Sequence, residues 1–205
     1  MIADDLANKR VAVTGATGFL GTALVERLLR CVPGCQVVAV VRAGRRQNAA
    51  ERTAREIIRN DCFDRLRNEL GREFESTIAR RLTTVAGDVT RDGLGLDDEG
   101  RSVLASCDIV VHAAASVSFD SPIDSAVEVN LLGPSRVAAT MIDLGAAHQP
   151  TGAALPHLIS VSTAYVSSGH RGDALEGAIS ESPYIALPDW RAEVESARRA
   201  RSDAH

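Results

Sequence analysis

Short apolar runs alternate along the chain with stretches whose apolar residues recur at helical spacing. Helical spacing is clearest over residues 20–31 and 123–145, and an arginine- and glutamate-rich stretch over 47–80 predicts two helices that meet near Asn60. Because strands that alternate with helices pair in parallel, this order predicts an α/β fold with a doubly wound parallel sheet. The apolar runs that predict its five strands are 10–14, 36–42, 82–89, 108–115 and 157–163.

Composition and charge narrow the class of protein. The chain has 205 residues, 45% of them hydrophobic, and a net charge of −4, which argues against nucleic acid as a partner. Its four cysteines form no Cys-x-x-Cys pair, so we expect reduced thiols and no metal site. The N-terminus lacks the apolar core of a signal peptide, and no apolar run approaches the ~20 residues of a membrane span. These features predict a cytoplasmic protein without a transmembrane segment.

Three glycines follow the first predicted strand, directly before the first long helix. Their spacing suits a tight turn, a close approach of the backbone to a pyrophosphate, and close packing of the helix on the sheet. The helix N-terminus adds free N–H groups and a partial positive charge for the phosphates. This context predicts a Rossmann-type fold that binds a dinucleotide through Gly15, Ala16, Thr17, Gly18, Phe19, Leu20 and Gly21.

The residue at the carboxyl end of the second predicted strand indicates which dinucleotide binds. NAD-binding proteins place an acidic residue there to hold the ribose 2′-hydroxyl, whereas this chain has Arg42, with Arg45 behind it. A guanidinium can grip a 2′-phosphate through two hydrogen bonds, and a carboxylate would repel it. The sequence therefore predicts NADP(H). The alternative is that these are ordinary surface residues of an arginine-rich chain, in which Lys9 is the one lysine among 23 basic residues.

The third and fourth predicted strands end in residues that also suit a dinucleotide. Asp88 and Val89 end the third strand, where the adenine of a Rossmann-bound cofactor would lie. We expect His112, in the fourth strand, to be half-buried near the cofactor. Small side chains at the end of that strand would let the backbone approach the cofactor, at Ala113, Ala114 and Ala115.

These segments together carry a resemblance to a known family. The motifs TGATGFLG, GDVT, HAAASVSFD, NLLG and SVSTAYV, spread over residues 10–170, resemble those of the extended short-chain dehydrogenases. Within that group the chain is most similar to fatty acyl-CoA reductases of the male-sterility type and to the related thioester-reductase domains. The glycine turn is shared by the whole superfamily. More specific to the acyl reductases is the combination of Val41–Arg42, the helical insertion with CFDRL, the HAAA motif with Phe119–Asp120, and STAYV.

The resemblance implies a catalytic hydroxyl, a tyrosine, and a lysine four residues after that tyrosine. It assigns the hydroxyl to Thr163, with Ser162 as the runner-up, which would hydrogen-bond the thioester carbonyl and the oxyanion formed by hydride attack. It also implies that Asn130 supports the active site, and we count Asn130 with the cofactor-binding residues. The Tyr-x-x-x-Lys pair is absent from these 205 residues, because neither tyrosine is followed by lysine at that spacing.

The activity that the resemblance implies is NADPH-dependent reduction of a long-chain acyl-CoA or acyl-carrier thioester to an aldehyde or alcohol. Residues 1–170 would form the NADP(H)-binding domain, with a sheet that is incomplete at its C-terminal side. Residues 171–205 would be a charged tail, helical or poorly structured, that leads to a missing part with the Tyr–Lys pair. The chain alone is then expected to bind NADPH and to turn over little or nothing.

Two other functions remain open at this stage. One is a nucleotide-sugar epimerase or dehydratase of the same superfamily, which would favour NAD and an acidic residue in place of Arg42. The other is a non-catalytic protein that senses redox state by binding NADPH. A Tyr-x-x-x-Lys pair downstream of this sequence would favour catalysis.

Overall fold

A five-stranded parallel sheet forms the core of the protein. A computed structural model describes residues 2–118, 120–148, 155–163 and 189–202. The strand order is β3-β2-β1-β4-β5, so the order reverses between β1 and β4. Helices lie on both faces, which confirms the predicted doubly wound α/β fold. The strands are β1 (Arg10–Thr14), β2 (Gln36–Val41), β3 (Leu82–Ala86), β4 (Ile109–His112) and β5 (His157–Ser160).

Helices fill the connections between the strands. The α-helices are α1 (Ile2–Asp5), α2 (Phe19–Cys31), α3 (Ala49–Arg52), α4 (Asp64–Leu70), α5 (Phe74–Arg81), α6 (Asp98–Ala105), α7 (Ile123–Ala126), α8 (Leu132–His148) and α9 (Trp190–Ser202). Two π-helical turns extend α3 and α7, over Thr53–Ile58 and Val127–Leu131, and 3-10 turns lie at Asp61–Phe63, Gly71–Glu73 and Asp92–Gly95.

The alternating side chains of the strands divide the core into two layers. In β2, every residue after Gln36 is buried, as expected of a parallel strand covered on both faces. Val37 and Val41 pack in the layer that contains α2, α4 and α5. Val38 and Val40 pack in the opposite layer, which contains α6 and α8. The two layers clamp the sheet and leave its strand ends to form loops.

The stretch 47–80 contains more helices than the two that its sequence pattern predicted. The break near Asn60 is confirmed, because the Asn60 side chain accepts a hydrogen bond from the Cys62 N–H at 3.0 Å and starts a new turn. A second break falls at Gly71, whose φ of 51° lies in the left-handed region that glycine adopts without strain. β1 has its predicted bounds, but the other four predicted strands were too long at their carboxyl ends, because the residues after Val41, Ala86, His112 and Ser160 leave the sheet.

Arg81, at the end of α5, fixes the C-terminus of α2. Its guanidinium donates hydrogen bonds to the carbonyls of Leu29 at 2.6 Å, Val32 at 2.8 Å and Cys35 at 2.8 Å. A positive charge here also complements the negative end of the helix dipole. These hydrogen bonds hold the C-terminal end of α2 in place, and the N-terminus of α2 follows the glycine turn.

The amino ends of β1 and β4 are joined by Asp108. Its carboxylate accepts hydrogen bonds from the Arg10 N–H at 2.8 Å and from Lys9 Nζ at 3.1 Å. The Arg10 N–H and the Lys9 ammonium together hold the pKa of Asp108 below its usual value, despite partial burial. Lys9 therefore lies at the edge of the sheet opposite to the strands' carboxyl ends.

The charged tail contains a helix, α9, which is one of the two structures predicted for it. Val194 and Ala197, three residues apart, are buried, and α9 packs against α7. The charge-rich sequence did not predict this packing. Among the described residues, no helix is long and apolar enough to cross a membrane.

Candidate dinucleotide site

A cleft of about 380 Å³ lies at the carboxyl ends of β2, β1 and β4, where the strand order reverses. Open α/β sheets bind their ligands at this kind of reversal point. Most of the lining residues belong to the loops that follow these strands and β3. They are Thr14, Gly15, Thr17, Gly18, Val40, Val41, Arg42, Arg52, Gly87, Asp88, Val89, Thr90, Ala113, Ala114, Ala115, Ser116, Ser125 and Val129.

The glycine turn is packed so closely that two of its glycines leave no room for a side chain. Gly15 has a φ of 69°, and a Cβ there would lie 2.6 Å from the backbone of Ala113. A Cβ on Gly21 would lie 2.1 Å from the Gly15 carbonyl oxygen. Gly18 differs, because a Cβ there would meet only the Gly15 oxygen, at 3.2 Å. Gly15 and Gly21 therefore hold the turn together, and Gly18 leaves space in the cleft.

The N-terminus of α2 fits the pyrophosphate of a dinucleotide. Gly18 caps the helix without a side-chain hydrogen bond, so no side chain of its own satisfies the first N–H groups. Such free N–H groups and the helix dipole attract phosphate. Three of the predicted residues do not line the cleft with their side chains. Ala16 is buried beneath the turn, Phe19 is 98% exposed and Leu20 is half exposed, and their contact with a dinucleotide stays a prediction.

Two arginines line the cleft after β2. The predicted Arg42 is exposed, and no ion-pair partner for its guanidinium is found in the described part of the chain. Arg52 of α3 donates a hydrogen bond to the Arg42 carbonyl at 2.5 Å and binds both oxygens of Glu56, at 3.1 and 2.7 Å. Arg45 lies in an adjoining basic pocket that shares Arg42 and Arg52 with the cleft.

Arg52 was missed by the sequence reasoning, although a local signal was available. Asn48 accepts a hydrogen bond from the Glu51 N–H at 2.8 Å, and the Glu51 carboxylate accepts one from the Asn48 N–H at 3.0 Å. This capping box starts a helix shortly after the second strand. It therefore places Arg52 in the first turn, close to Arg42.

The loop after β3 brings Asp88 and Val89 to the cleft, as predicted. The Asp88 carboxylate accepts hydrogen bonds from the N–H and hydroxyl of Thr90, at 2.9 and 2.8 Å. The Asp88 N–H donates to the carbonyl of Leu94 at 2.8 Å. Leu94 is buried with a φ of 56°, which is uncommon for a residue with a side chain. The loop is thus held in one conformation at the cleft wall.

The end of β4 brings Ala113, Ala114 and Ala115 to the cleft, as predicted. His112 was expected to be half-buried, but this expectation was wrong, since the side chain is only 1% exposed. Its Nδ1 lies 2.7 Å from the hydroxyl of Thr14, and burial lowers its pKa below the ordinary value. The ring is therefore neutral at pH 7 and joins β1 to β4 beneath the cleft.

Asn130 lies beside the cleft rather than in its lining. Its side-chain oxygen accepts a hydrogen bond from the Ser116 N–H at 2.7 Å, and its nitrogen donates to the Ser116 carbonyl at 2.9 Å. Both polar atoms are thus engaged with the loop that follows β4. Asn130 therefore positions the loop after β4 at the cleft, and its counting among the cofactor-binding residues stays a prediction.

Ser162 and Thr163 lie two and three residues beyond β5, and both are exposed. The predicted strand extended to Thr163, whereas β5 ends at Ser160. Neither hydroxyl is among the residues that line the cleft, although both follow a carboxyl end at the same edge of the sheet. Phe119, Tyr165 and Tyr184 lie outside the described residues. In the part that is described, no three metal-ligating side chains come together.

Comparisons with curated proteins point to one family. The Male sterility protein family matches residues 13–203. The chain is 36% identical over 184 residues to fatty acyl-CoA reductase 8 of Arabidopsis thaliana, which covers 88% of this chain and 34% of that protein. It is 33% identical over 178 residues to the alcohol-forming fatty acyl-CoA reductase of Simmondsia chinensis, with 85% of this chain and 34% of that protein covered.

Solved structures share the fold. The terminal R domain from the myxalamid PKS-NRPS biosynthetic pathway matches with a TM-score of 0.58 and 27% identity, over 82% of this chain and 38% of that chain. The reductase domain of a non-ribosomal peptide synthetase from Mycobacterium tuberculosis matches with a TM-score of 0.53 and 30% identity, over 82% of this chain and 37% of that chain. UDP-glucuronic acid 4-epimerase from Bacillus cereus, in complex with NAD, matches with a TM-score of 0.50 and 20% identity, over 93% of this chain and 50% of that chain. At this identity the likeness concerns the fold alone.

The fold and the cleft define the NAD(P)-binding Rossmann domain of an oxidoreductase. A strand–glycine turn–helix unit at the reversal point of the sheet carries this conclusion. The chain belongs to the male sterility protein family and is homologous to fatty acyl-CoA reductases. It spans about a third of the length of these curated relatives.

Proposed function

We propose that the chain is the NADPH-binding part of a fatty acyl-CoA reductase. The whole protein would reduce a long-chain acyl thioester, carried by CoA or by a carrier protein, to an aldehyde or an alcohol. The names of the curated relatives support the substrate class, and the thioester carrier and the product stay part of the proposal.

The observation that carries the choice of NADPH is the guanidinium of Arg42 in the cleft wall, which has no ion-pair partner among the residues that the structure describes. It follows β2, at the position where NAD-binding proteins place a carboxylate for the ribose hydroxyl. The hydrogen bond from Arg52 to the Arg42 carbonyl fixes the Arg42 backbone at this point. Among the residues that line the adjoining pocket, Glu56 is acidic, and its charge is already matched by Arg52 and Arg55.

The residues of the chain have distinct tasks in the proposed reduction. NADPH, when bound, would supply the hydride that adds to the thioester carbonyl carbon. The glycine turn and the α2 N-terminus would hold the pyrophosphate, and the alanines after β4 would let the cofactor lie against the sheet. Following the family resemblance, the Thr163 hydroxyl, with Ser162 as the second candidate, would donate a hydrogen bond to the developing oxyanion. Collapse of this oxyanion with loss of the thiolate would give the aldehyde.

The substitution Arg42→Ala tests the cofactor assignment. A hydrogen bond between charged groups contributes about 1.5–3 kcal/mol, so NADPH affinity should fall about tenfold or more, while NADH affinity should hardly change. Calorimetric titration of both cofactors measures the two effects. The matched control is Arg72→Ala, which removes an exposed arginine that does not line the cleft.

The same titration separates the proposal from an NAD-dependent epimerase or dehydratase. Equal losses of NADPH and NADH affinity in Arg42→Ala would contradict a contact with the 2′-phosphate. Tighter binding of NADH than NADPH by the unmodified chain would favour the epimerase reading instead.

A further inference from the structure

Helix α9 is tied to the cleft region through the carboxylate of Glu128. This residue lies in the π-helical turn between α7 and α8. One of its oxygens accepts hydrogen bonds from Arg198 Nε at 2.8 Å and Arg198 Nη2 at 2.6 Å. The other accepts a hydrogen bond from Arg136 Nη2 at 2.6 Å. Because two guanidiniums from two different helices hold this carboxylate, they fix the turn that carries it.

Glu128 is charged at neutral pH. Burial alone would raise its pKa, but the hydrogen bonds from Arg136 and Arg198 outweigh burial and leave the pKa below the ordinary value. Arg198 belongs to α9, which also buries Val194 and Ala197 against the domain. The ion pair is therefore part of a packed helix contact, in contrast to an isolated pair on the surface.

The same π-helical turn also contacts the cleft and the loop that follows β4. Asn130 lies two residues after Glu128, and its amide binds both backbone groups of Ser116. Val129, between them, lines the cleft together with Ser116. π-Helical turns are rare and are frequently found at functional sites. Here one short turn carries the α9 contact and the cleft contact on neighbouring residues.

We propose that Arg198 is a positioning residue for the dinucleotide cleft, acting through Glu128 on the turn that presents Asn130 to Ser116. The part of this inference that concerns NADPH binding rests on the proposed function. Arg198 is half exposed, and Arg136 would still hold Glu128 in its absence. For a pair of this kind we expect Arg198→Ala to weaken NADPH binding between twofold and about fivefold.

The experiment compares Arg198→Ala with Arg199→Ala in the 205-residue chain. Arg199 is the next residue of α9, and its ion pair is with Glu195 of the same helix. Two quantities are measured: the NADPH dissociation constant, and the hydrogen-exchange rate of the Ser116 amide, with the β1 amides as the reference for global opening. Arg198→Ala should raise both, Arg199→Ala should change neither, and Arg198→Lys should recover part of the loss.

A double substitution tests the route of the effect. In an Asn130→Ala background the Ser116 clamp is already lost, so adding Arg198→Ala should not weaken NADPH binding further. Additive losses, or equal behaviour of Arg198→Ala and Arg199→Ala, would overturn the inference. If the unmodified chain fails to bind NADPH, the proposed function falls, and the Ser116 exchange rate still decides whether Arg198 positions this loop.

Discussion

The substitution Gly18→Val is expected to abolish dinucleotide binding while the domain stays folded. Gly18 has φ −83° and ψ 169°, a backbone conformation that any residue adopts. It is exposed, and a Cβ would meet only the Gly15 carbonyl oxygen, at 3.2 Å. Replacing glycine by valine at a helix N-cap should cost about 1 kcal/mol. A typical domain is stable by about 5–15 kcal/mol, so the fold should survive.

The expected loss of binding is much larger than this cost. Gly18 lines the cleft in front of the α2 N-terminus, so the valine side chain would occupy the space proposed for the pyrophosphate. Losing two charge-assisted hydrogen bonds of about 1.5–3 kcal/mol each would weaken binding by more than about a hundredfold. Urea unfolding measures the stability, and calorimetric titration with NADPH measures the affinity.

Gly21→Ala provides the contrast. Its Cβ would lie 2.1 Å from the Gly15 carbonyl oxygen, so the backbone has to move. Overpacking of this kind costs about 1–3 kcal/mol, which exceeds the gain of up to about 1 kcal/mol from replacing glycine by alanine in a helix. This variant should therefore lose both stability and affinity. Unchanged NADPH binding by a folded Gly18→Val variant would refute the assignment of the phosphate site.

Two further predictions concern turnover and pH. The 205-residue chain should not oxidise NADPH in the presence of palmitoyl-CoA, because it has no Tyr-x-x-x-Lys pair and general acid catalysis is typically worth ~10²–10⁴ in rate. NADPH absorbance measures the turnover, and a rate above that of the protein-free blank would contradict this prediction. Asp108→Asn should destabilise the domain at pH 7 by about 0.2–1 kcal/mol, since its partners are partly exposed. Because its folded-state pKa is lowered, the contribution of Asp108 is present above its ordinary pKa and disappears as pH falls through the folded-state value. Urea unfolding at pH 7 and in acid should show the difference closing, and a constant difference would contradict the charge argument.

Local patterns predicted most of the sheet and the cleft. β1 was predicted at its observed bounds, because a buried apolar run ends at a glycine turn whose geometry depends on neighbouring residues alone. The end-of-strand residues Arg42, Asp88 and Ala113 were found for a similar reason. Carboxyl ends of parallel strands meet at one edge, so knowing the order of strands and helices is enough to bring these residues together.

The features that were missed depend on contacts between distant segments. His112 is buried, and its ring contacts Thr14 of the neighbouring strand β1. The two residues are far apart in the sequence, so no periodic pattern indicates the contact. Asn130 contacts a backbone group fourteen residues earlier, which a motif match could not show. The docking of α9 depends on Val194, Ala197 and one ion pair seventy residues away. Such tertiary contacts override a composition that predicts a solvated segment.

Lys9 gives the domain an unusual chemical asymmetry. It is the one lysine in the sequence, so amine-directed reagents can modify only its Nζ and the N-terminal amine. Lys9 directly precedes β1, at the amino edge of the sheet, and the cleft lies at the carboxyl edge. Coupling through Lys9 should therefore attach the domain to a sensor surface or a dye with the cleft facing away from the point of attachment. The arginines of the cleft would keep their charge under the same conditions.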